Sequence, residues 1–313
     1  MALTGSAKDT VARVVDASSL EATPGSLSAR TAEGSSVLLG FGQPEADGPV
    51  ESGTVMYAAS LAKQVIGMLL SLQVESGVLD VEGTLGRSLD DLPDWAQQIR
   101  VRHLIHHTSA LPVVDRVGPE VGNDLVLDRL RGCDRLAAKP GVTFAYSNVG
   151  YVCLAEILSR LTGQPVAALA RASLFSPLGM ESTTLGYRPD AVRAGHALPP
   201  ATVGDGGLWT TAEDLLRWND AMNAGFFGLS VHARAETPGT LDDGTPLDYA
   251  WGVRVLDHRG RRVLSHGGSW PTWSAKTVRQ PDQGLSVAIL TSSEDAQAIT
   301  ATALEILVAC RSI

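Results

Sequence analysis

The chain has 313 residues, 44% of them hydrophobic and 19% charged, which predicts a globular protein with a large core. Its formal net charge of −9 argues against nucleic acid or an anionic membrane surface as the main partner. Three widely spaced cysteines without a Cys-x-x-Cys pair suit a reducing compartment and give no zinc site. The N-terminus lacks a signal-peptide pattern and no apolar run reaches transmembrane length, so we expect a cytoplasmic protein.

The pattern of elements changes twice along the chain. A helix over Ala7–Ala17 precedes a predicted β-hairpin made of Ser26–Thr31 and Ser35–Gly42. Residues 60 to about 223 are mostly helical, with Pro and Gly between four segments of helical spacing: Asp124–Arg131, Asn148–Thr162, Pro165–Phe175 and Ala212–Met222. A period of two then predicts antiparallel strands over Tyr249–Leu256, Arg261–His266, Trp273–Arg279 and Leu285–Leu290. A last amphipathic helix runs from about Asp295 to Cys310.

Strands at both ends with helices between them predict an α+β fold of the α/β sandwich type. One antiparallel sheet would be built from both termini and flanked by helices, with an all-helical subdomain inserted. We expect a single domain over residues 1–313, with an α/β lobe of about 1–75 and 205–313 and a helical lobe of about 76–204. Active sites often lie at the seam between two such lobes.

Ser60 and Lys63 form the most informative motif. Lys63 follows Ser60 by three residues on a helix that is otherwise apolar on most faces, and residues at this spacing share a helix face. A buried lysine is costly unless it is paired, and a neighbouring lysine is one way to activate a serine nucleophile. The alternative is a lysine whose stem packs while its ammonium reaches solvent.

Two further motifs lie downstream. Tyr146-Ser147-Asn148 opens a predicted helix and would place a phenol and an amide on one exposed loop; alternatively, Ser147 or Asn148 caps the helix and Tyr146 packs. His266-Gly267-Gly268-Ser269 lies at the end of a predicted strand, where two glycines let a backbone or a substrate approach closely. The alternative there is a tight turn with an exposed histidine.

In this order, Ser-x-x-Lys, Tyr-x-Asn and His-Gly-Gly resemble the serine β-lactamase-like superfamily. Within it, the match is to the branch of class C β-lactamases, D-alanyl-D-alanine carboxypeptidases and family VIII esterases. The resemblance covers nearly the whole chain from about Pro24 onward and implies a β-lactamase/transpeptidase-like fold. It extends through Ile99–Pro112, Lys139–Met180, Gly204–Trp218 and His266–Leu290.

The resemblance also implies a role for each motif residue. Ser60 would be the nucleophile, and Lys63 with Tyr146 would form the base, the ammonium stabilising a tyrosinate that relays protons. The backbone N–H groups of Ser60 and Ser269 would form the oxyanion hole. The predicted substrate-binding residues are Asn148, His266, Gly267, Gly268 and Ser269.

His266 stands where many relatives carry the lysine of Lys-Thr-Gly. That lysine offers a fixed positive charge to a substrate carboxylate, whereas histidine is mostly neutral at cytoplasmic pH unless a neighbour raises its pKa. The replacement favours neutral esters or amides over penicillins and D-Ala-D-Ala ends, although Lys276 or Arg279 could supply charge. Ala110 stands where His-Thr-Ser-Gly-Leu is usual, and we interpret it as one small residue replacing another.

Four aromatic residues invite further hypotheses. His106 and His107 point to different faces of a helix and no carboxylate spacing supports them, so we expect neither a metal nor another cofactor. Trp270 and Trp273 either line an acyl pocket or pack against the helical lobe.

The sequence therefore predicts a serine hydrolase that works through an acyl-enzyme on Ser60, with a carboxylic ester or small amide as its small-molecule substrate. An acyltransferase on the same scaffold and a D-amino-acid peptidase or β-lactamase remain alternatives. A non-catalytic ligand-binding protein is a third, although a degenerate site would be free to lose at least one motif residue. Oligomeric state is left open.

Overall fold

The structure is a computed structural model that describes residues 6–114 and 121–313. Its helices are α1 (Ala7–Asp16), α2 (Ala62–Glu75), α3 (Leu85–Ser88), α4 (Val101–Ile105), α5 (Asn123–Arg131), α6 (Asn148–Thr162), α7 (Val166–Ala170), α8 (Ala212–Ala224), α9 (Leu229–Ala235) and α10 (Ala296–Ala309). Its strands are β1 (Gly25–Arg30), β2 (Ser36–Phe41), β3 (Met56–Ala59), β4 (Thr184–Leu185), β5 (Leu208–Thr210), β6 (Arg254–Asp257), β7 (Arg262–Trp270), β8 (Trp273–Gln280) and β9 (Leu285–Thr291). None of the helices in these ranges has both the length and the apolar character needed to cross a membrane.

Six strands form an antiparallel sheet in the order β2-β1-β9-β8-β7-β6. The N-terminal hairpin joins the C-terminal strands through the β1–β9 pair, in which Leu27 faces Ile289. Both termini therefore build this sheet, and the predicted α+β fold is confirmed.

The two faces of the sheet are covered by different helices. On the outer face, α1 and α10 bury an apolar layer against the strands, with Val15 and Ile306 packed over Val278 and Val287. On the inner face, β3 and α8 contact the sheet, and α2 connects this layer to the helical region through α6, α7 and α9. Each face removes apolar side chains from water, which is the main force holding the layers together.

A second sheet was not predicted from the sequence. It has the order β3-β5-β4, and its strands contain four, three and two residues respectively. Strands this short show too few alternations for a period of two to stand out among helical segments. The expectation that residues 60 to about 223 are mostly helical is therefore incomplete.

Two predicted strands have different bounds in the structure. The strand expected over Tyr249–Leu256 begins only at Arg254, because the preceding segment crosses α2 at close range. A Cβ on Gly67 would lie 2.0 Å from the Trp251 carbonyl oxygen, and one on Gly252 would lie 2.1 Å from the Lys63 carbonyl oxygen. The strand expected to end at His266 instead continues to Trp270, so the two glycines after His266 lie inside β7 and pair with β8.

Candidate active site

Ser60 lies in the turn between β3 and α2. Ala59, just before it, has a φ of 44°, a left-handed conformation that costs a residue with a Cβ about 1–2 kcal/mol. Gly268 of β7 packs directly against this turn, since a Cβ there would lie 2.1 Å from the Ala58 carbonyl oxygen. This approach, which a glycine alone allows, places Ser60 and Ser269 on the wall of one cavity. The oxyanion role of their N–H groups stays a prediction.

Lys63 is fully buried, which excludes an ammonium that reaches solvent. Its Nζ donates hydrogen bonds to Ser60 Oγ at 3.0 Å, to Asn148 Oδ1 at 2.8 Å and to the Asp205 carbonyl oxygen at 2.7 Å. These three acceptors match the three hydrogens of an ammonium. The lysine is therefore held in one position beside the serine hydroxyl.

Tyr146 and Asn148 flank Ser147, and Asn148 is the first residue of α6. Ser147 is the helix cap, because its Oγ accepts a hydrogen bond from the Gly150 N–H at 3.1 Å. The Asn148 amide is thereby left to contact Lys63. Tyr146 is 43% exposed, its ring centroid lies 5.0 Å from Lys63 Nζ, and its hydroxyl makes no hydrogen bond within residues 6–114 and 121–313. The structure thus brings Ser60, Lys63, Tyr146 and Asn148 together, while their catalytic roles stay predictions.

His107 supports the Tyr146 loop. Its Nδ1 accepts a hydrogen bond from the Ser147 N–H at 3.0 Å, and its ring centroid lies 4.3 Å from that of Tyr146. Burial lowers the pKa of His107 well below its usual value, so the ring is neutral. His106 makes a different contact, donating from Nδ1 to the Tyr249 carbonyl oxygen at 3.0 Å. In the described ranges, no group of three or more His, Cys, Asp or Glu side chains is arranged to hold a metal ion.

His266 is buried within β7 and does not lie in an exposed turn. Its Nδ1–H donates to the Gly267 carbonyl oxygen at 2.6 Å, so Nε2 accepts the hydrogen bond from the Tyr249 hydroxyl at 3.0 Å. Burial, followed by the charge of Lys63, lowers the pKa of His266 to about 3. The histidine is therefore neutral near pH 7 and supplies no positive charge to a substrate.

A cavity of about 410 Å³ opens beside these residues. Because β6 pairs with β7 only as far as Ser265, residues 266–270 form a strand edge along the cavity that β6 does not cover. Ser60, Tyr146 and Asn148 line the inner side of this edge. A second cavity of about 350 Å³ adjoins Tyr146 and Asn148 and is lined largely by apolar residues.

The two tryptophans near His266 have different positions. Trp270 lines the second cavity and a smaller one next to Ser60. Trp273 is fully buried and donates through Nε1 to the Ala197 carbonyl oxygen at 2.8 Å. Of the two, Trp270 therefore lines cavities beside the candidate site, and Trp273 packs in the core.

Arg279 and Lys276, the two cations that could supply the charge that His266 lacks, lie in different places. Arg279 is buried and its guanidinium lies 2.6 Å from a Glu236 carboxylate oxygen, outside the cavity. Lys276 lines the cavity, and among the described residues it is the only charged one that does.

Ala110 adopts a backbone conformation that is unfavourable for a residue with a Cβ. Its φ is 54°, in the left-handed region that glycine adopts without penalty. An alanine there costs about 1–2 kcal/mol, so the exchange for the usual glycine is more than one small residue replacing another.

Three residues of the site were not predicted to belong to it: Tyr249, His107 and Asp205. The alternating pattern places Tyr249 in a strand, and no local pattern shows that its hydroxyl meets His266 seventeen residues later. Asp205 contributes its backbone carbonyl, which carries no side-chain signature. The glycines around it, Gly204, Gly206 and Gly207, were the available signal of an irregular backbone near a functional group.

The sequence and the fold are similar to those of known proteins. The model of the Beta-lactamase family matches residues 12–309. Penicillin-binding protein 4* of Bacillus subtilis (strain 168) is 28% identical over 310 residues, which cover 84% of this chain and 67% of that protein. A D-aminopeptidase of Gluconobacter oxydans (strain 621H) is 25% identical over 285 residues, covering 80% of this chain and 52% of that enzyme, so the chain spans about half its length. The solved D-amino acid amidase from Ochrobactrum anthropi SV3, complexed with D-phenylalanine, shares the fold, with a TM-score of 0.83 at 20% identity over 97% of this chain and 99% of that one.

Proposed function

Because the chain belongs to the β-lactamase family, we propose that it is a serine hydrolase that forms an acyl-enzyme on Ser60. Its proposed substrates are carboxylic esters or small amides. The observation that carries the proposal is the buried Lys63 ammonium, whose Nζ lies 3.0 Å from Ser60 Oγ and is fixed by two further acceptors. Burying a cation is unfavourable for the stability of the fold. Its position beside a serine hydroxyl therefore supports a role in activating that serine.

The proposed reaction has two halves. In the first, Ser60 Oγ bonds to the substrate carbonyl carbon, its proton passes to the Tyr146–Lys63 pair, and that proton leaves with the alcohol or amine as its bond to carbon breaks. In the second, water attacks the acyl-enzyme, the same pair takes its proton, and Ser60 recovers a proton as the acid departs. In this scheme the Lys63 ammonium stabilises Tyr146 as a tyrosinate, and the tyrosinate oxygen accepts the proton.

The choice of substrate class rests on the neutral His266. Its Nε2 is already bonded to Tyr249, so this position offers no charge of the kind a lysine would give. The names of the relatives, a D-aminopeptidase and a D-amino acid amidase, make small amides as relevant to test as esters.

Mass spectrometry of the intact protein tests the acyl-enzyme. After brief exposure to 4-nitrophenyl acetate and an acid quench, the wild-type protein should gain one acetyl group, mapped by peptide analysis to Ser60. Ser60→Ala should gain none, whereas Ser269→Ala, a serine on the same cavity wall, should still be acylated. An unmodified wild-type protein after several acyl donors would reject the proposal and favour a non-catalytic binding protein.

Turnover assays then separate the remaining alternatives. A panel of chromogenic esters, D-amino-acid amides and a chromogenic cephalosporin identifies the preferred acyl donor. Adding alcohols or amines to the best donor distinguishes hydrolysis from acyl transfer, because a transferase would form the new ester or amide in preference to the free acid.

A further inference from the structure

We infer that Lys276 anchors a carboxylate of the acyl donor, so that the preferred substrates are esters or amides of acids that carry a second, anionic carboxylate. This inference rests on the proposed acyl-enzyme function and names the substrate class for the same cavity. The positive charge that His266 does not supply on β7 comes, in this arrangement, from the neighbouring strand β8.

The sheet register brings Lys276 to the cavity. Lys276 pairs directly with Gly267, so both residues project from the outer face of the sheet. Because Gly267 has no side chain, the Lys276 stem lies over it, with Cδ 3.9 Å from where a Cβ of Gly267 would be. The half-buried lysine and the first turns of α10, through Ile299 and Thr300, then line the outer side of the cavity whose inner side holds Ser60.

The Lys276 ammonium has no partner within the described parts of the chain. It makes no hydrogen bond or ion pair there, although a half-buried charge is stabilised by one. The two acids that immediately precede α10 are engaged elsewhere: Glu294 accepts from the Thr272 N–H, and Asp295 caps the helix. The nearby cation Arg254 is paired with Asp248.

A second polar group on the same wall is also unpartnered. Ser274 is 3% exposed, its hydroxyl has no hydrogen-bond partner in the described ranges, and the residue lines this cavity beside Lys276. Several buried serine hydroxyls in the described ranges have no partner, and among them Ser274 is the one whose residue lines this cavity. A cation next to a hydroxyl donor suits an anionic oxygen, and no carboxylate among the described residues lines the cavity to compete for it.

The charge of the cavity also selects against one class of substrate. An acyl donor with a free ammonium group would meet Lys276 without a carboxylate to offset the repulsion. A second carboxylate on the acid would instead remove the unpaired charge from the cavity. The acyl donor therefore resembles a half-ester or half-amide of a small dicarboxylic acid.

Matched esters test this selectivity. The mono-4-nitrophenyl ester of glutaric acid carries the free carboxylate. The neutral control is the same compound with that carboxylate converted to a methyl ester, methyl 4-nitrophenyl glutarate. A third ester, 4-nitrophenyl 5-aminopentanoate, carries an ammonium group instead. Lys276→Met should lower kcat/KM for the glutarate half-ester about ten- to a hundredfold, the size of losing a hydrogen bond between charged groups. The methyl diester should change less than twofold, and the ammonium ester should improve. Lys276→Arg should keep most of the selectivity, and Lys8→Met, at an exposed lysine of α1, should change nothing.

Several outcomes would overturn the inference. If Lys276→Met lowers kcat/KM equally on the charged and the neutral ester, the role of Lys276 is structural. If the preference for the charged ester is unchanged in Lys276→Met, Lys276 does not bind the substrate carboxylate. If no ester is turned over, the acyl-enzyme proposal fails first, and ligand-observed NMR with monomethyl glutarate decides the anion site separately. Binding to Ser60→Ala that is lost in Ser60→Ala/Lys276→Met supports the site, and equal binding rejects it.

Discussion

The two sides of the β7 edge hold their cations in opposite ways. On the inner side, the fully buried Lys63 ammonium is bonded to three acceptors, and His266 next to it is neutral and bonded to Tyr249. On the outer side, the half-buried Lys276 has no hydrogen-bond partner within the described residues, and Ser274 beside it has an unbonded hydroxyl. One cavity of about 410 Å³ joins both sides.

The polar groups on the inner side are held in place by their hydrogen bonds, whereas those on the outer side remain available to bind a ligand. Satisfied polar side chains in a protein interior have one geometry, which is what a reacting serine requires of its neighbours. Polar side chains without partners gain most when a ligand supplies the missing bonds. The inner side therefore suits chemistry and the outer side suits recognition, and the predictions below change one side at a time.

The largest effect is expected from Lys63. Lys63→Met should lower kcat/KM on every acyl donor by about 10²- to 10⁴-fold, because the Ser60 hydroxyl loses the cation that favours its proton transfer. Steady-state kinetics on the neutral and the charged glutarate esters measure the change, which should be equal on both. A loss confined to the charged ester would contradict the assignment of the two sides.

Lys63→Arg is the matched control. It keeps a positive charge but changes the shape of the donor group, so the three bonds made by Nζ cannot all be reproduced. We expect a loss close to that of Lys63→Met. Near-normal activity in Lys63→Arg would mean that positive charge alone is sufficient. Circular dichroism and thermal melting show whether either variant is still folded.

The sequence could predict contacts made at helical spacing. Ser60 and Lys63 are neighbours because residues three apart share a helix face, and the apolar pattern of α2 correctly indicated that the lysine is buried. The six-stranded sheet was also predictable from its alternating residues, and its membership of both termini was confirmed.

Contacts set by packing between distant segments could not be predicted. The neutral state of His266 depends on its burial and on the charge of Lys63. Its hydrogen-bond partner Tyr249 is positioned by the neighbouring Trp251 and Gly252, which pack closely against α2. The position of Lys276 depends equally on the β7–β8 register, which fixes its partner as Gly267. The sequence offers Lys276 and Arg279 equally as sources of positive charge. Only the structure shows that they project from opposite faces of the sheet.

An intermediate effect is expected from the glycines of β7, which adjoin opposite sides. A Cβ on Gly268 would lie 2.1 Å from the Ala58 carbonyl oxygen, so Gly268→Ala must displace the strand from the Ser60 turn. Displacements of about 1 Å in an active site can cost about 100-fold, and we expect a loss of that order in kcat.

Gly267→Ala is the control at the adjacent position. Its Cβ would meet no closer neighbour than the Ala275 carbonyl oxygen at 3.6 Å, which is an ordinary contact, and Lys276 Cδ at 3.9 Å. It should retain kcat on neutral esters within about threefold. Equal losses in both variants would show that the strand edge tolerates no side chain, and the sterics of the Ser60 turn would then not be the cause.

The smallest expected effect is on stability, and it distinguishes the inner side by its response to pH. Burial lowers the pKa of His266 to about 3 and that of His106 to about 4, both below the ordinary value of about 6.5. The unfolded chain therefore binds protons that the folded chain does not as the pH falls below about 6.5. The free energy of unfolding should decrease there by up to about 1.4 kcal/mol per pH unit for each such histidine. Urea unfolding of wild type and His266→Gln between pH 4.5 and 9 measures this pH dependence of the free energy of unfolding.

The His266→Gln variant should lose one histidine's share of the slope below about pH 6.5, and the difference in free energy between the two proteins should be constant above about pH 7.5. Parallel curves over the whole range would mean that the pKa of His266 is the same in the folded and unfolded chains, which would contradict its burial as a neutral group.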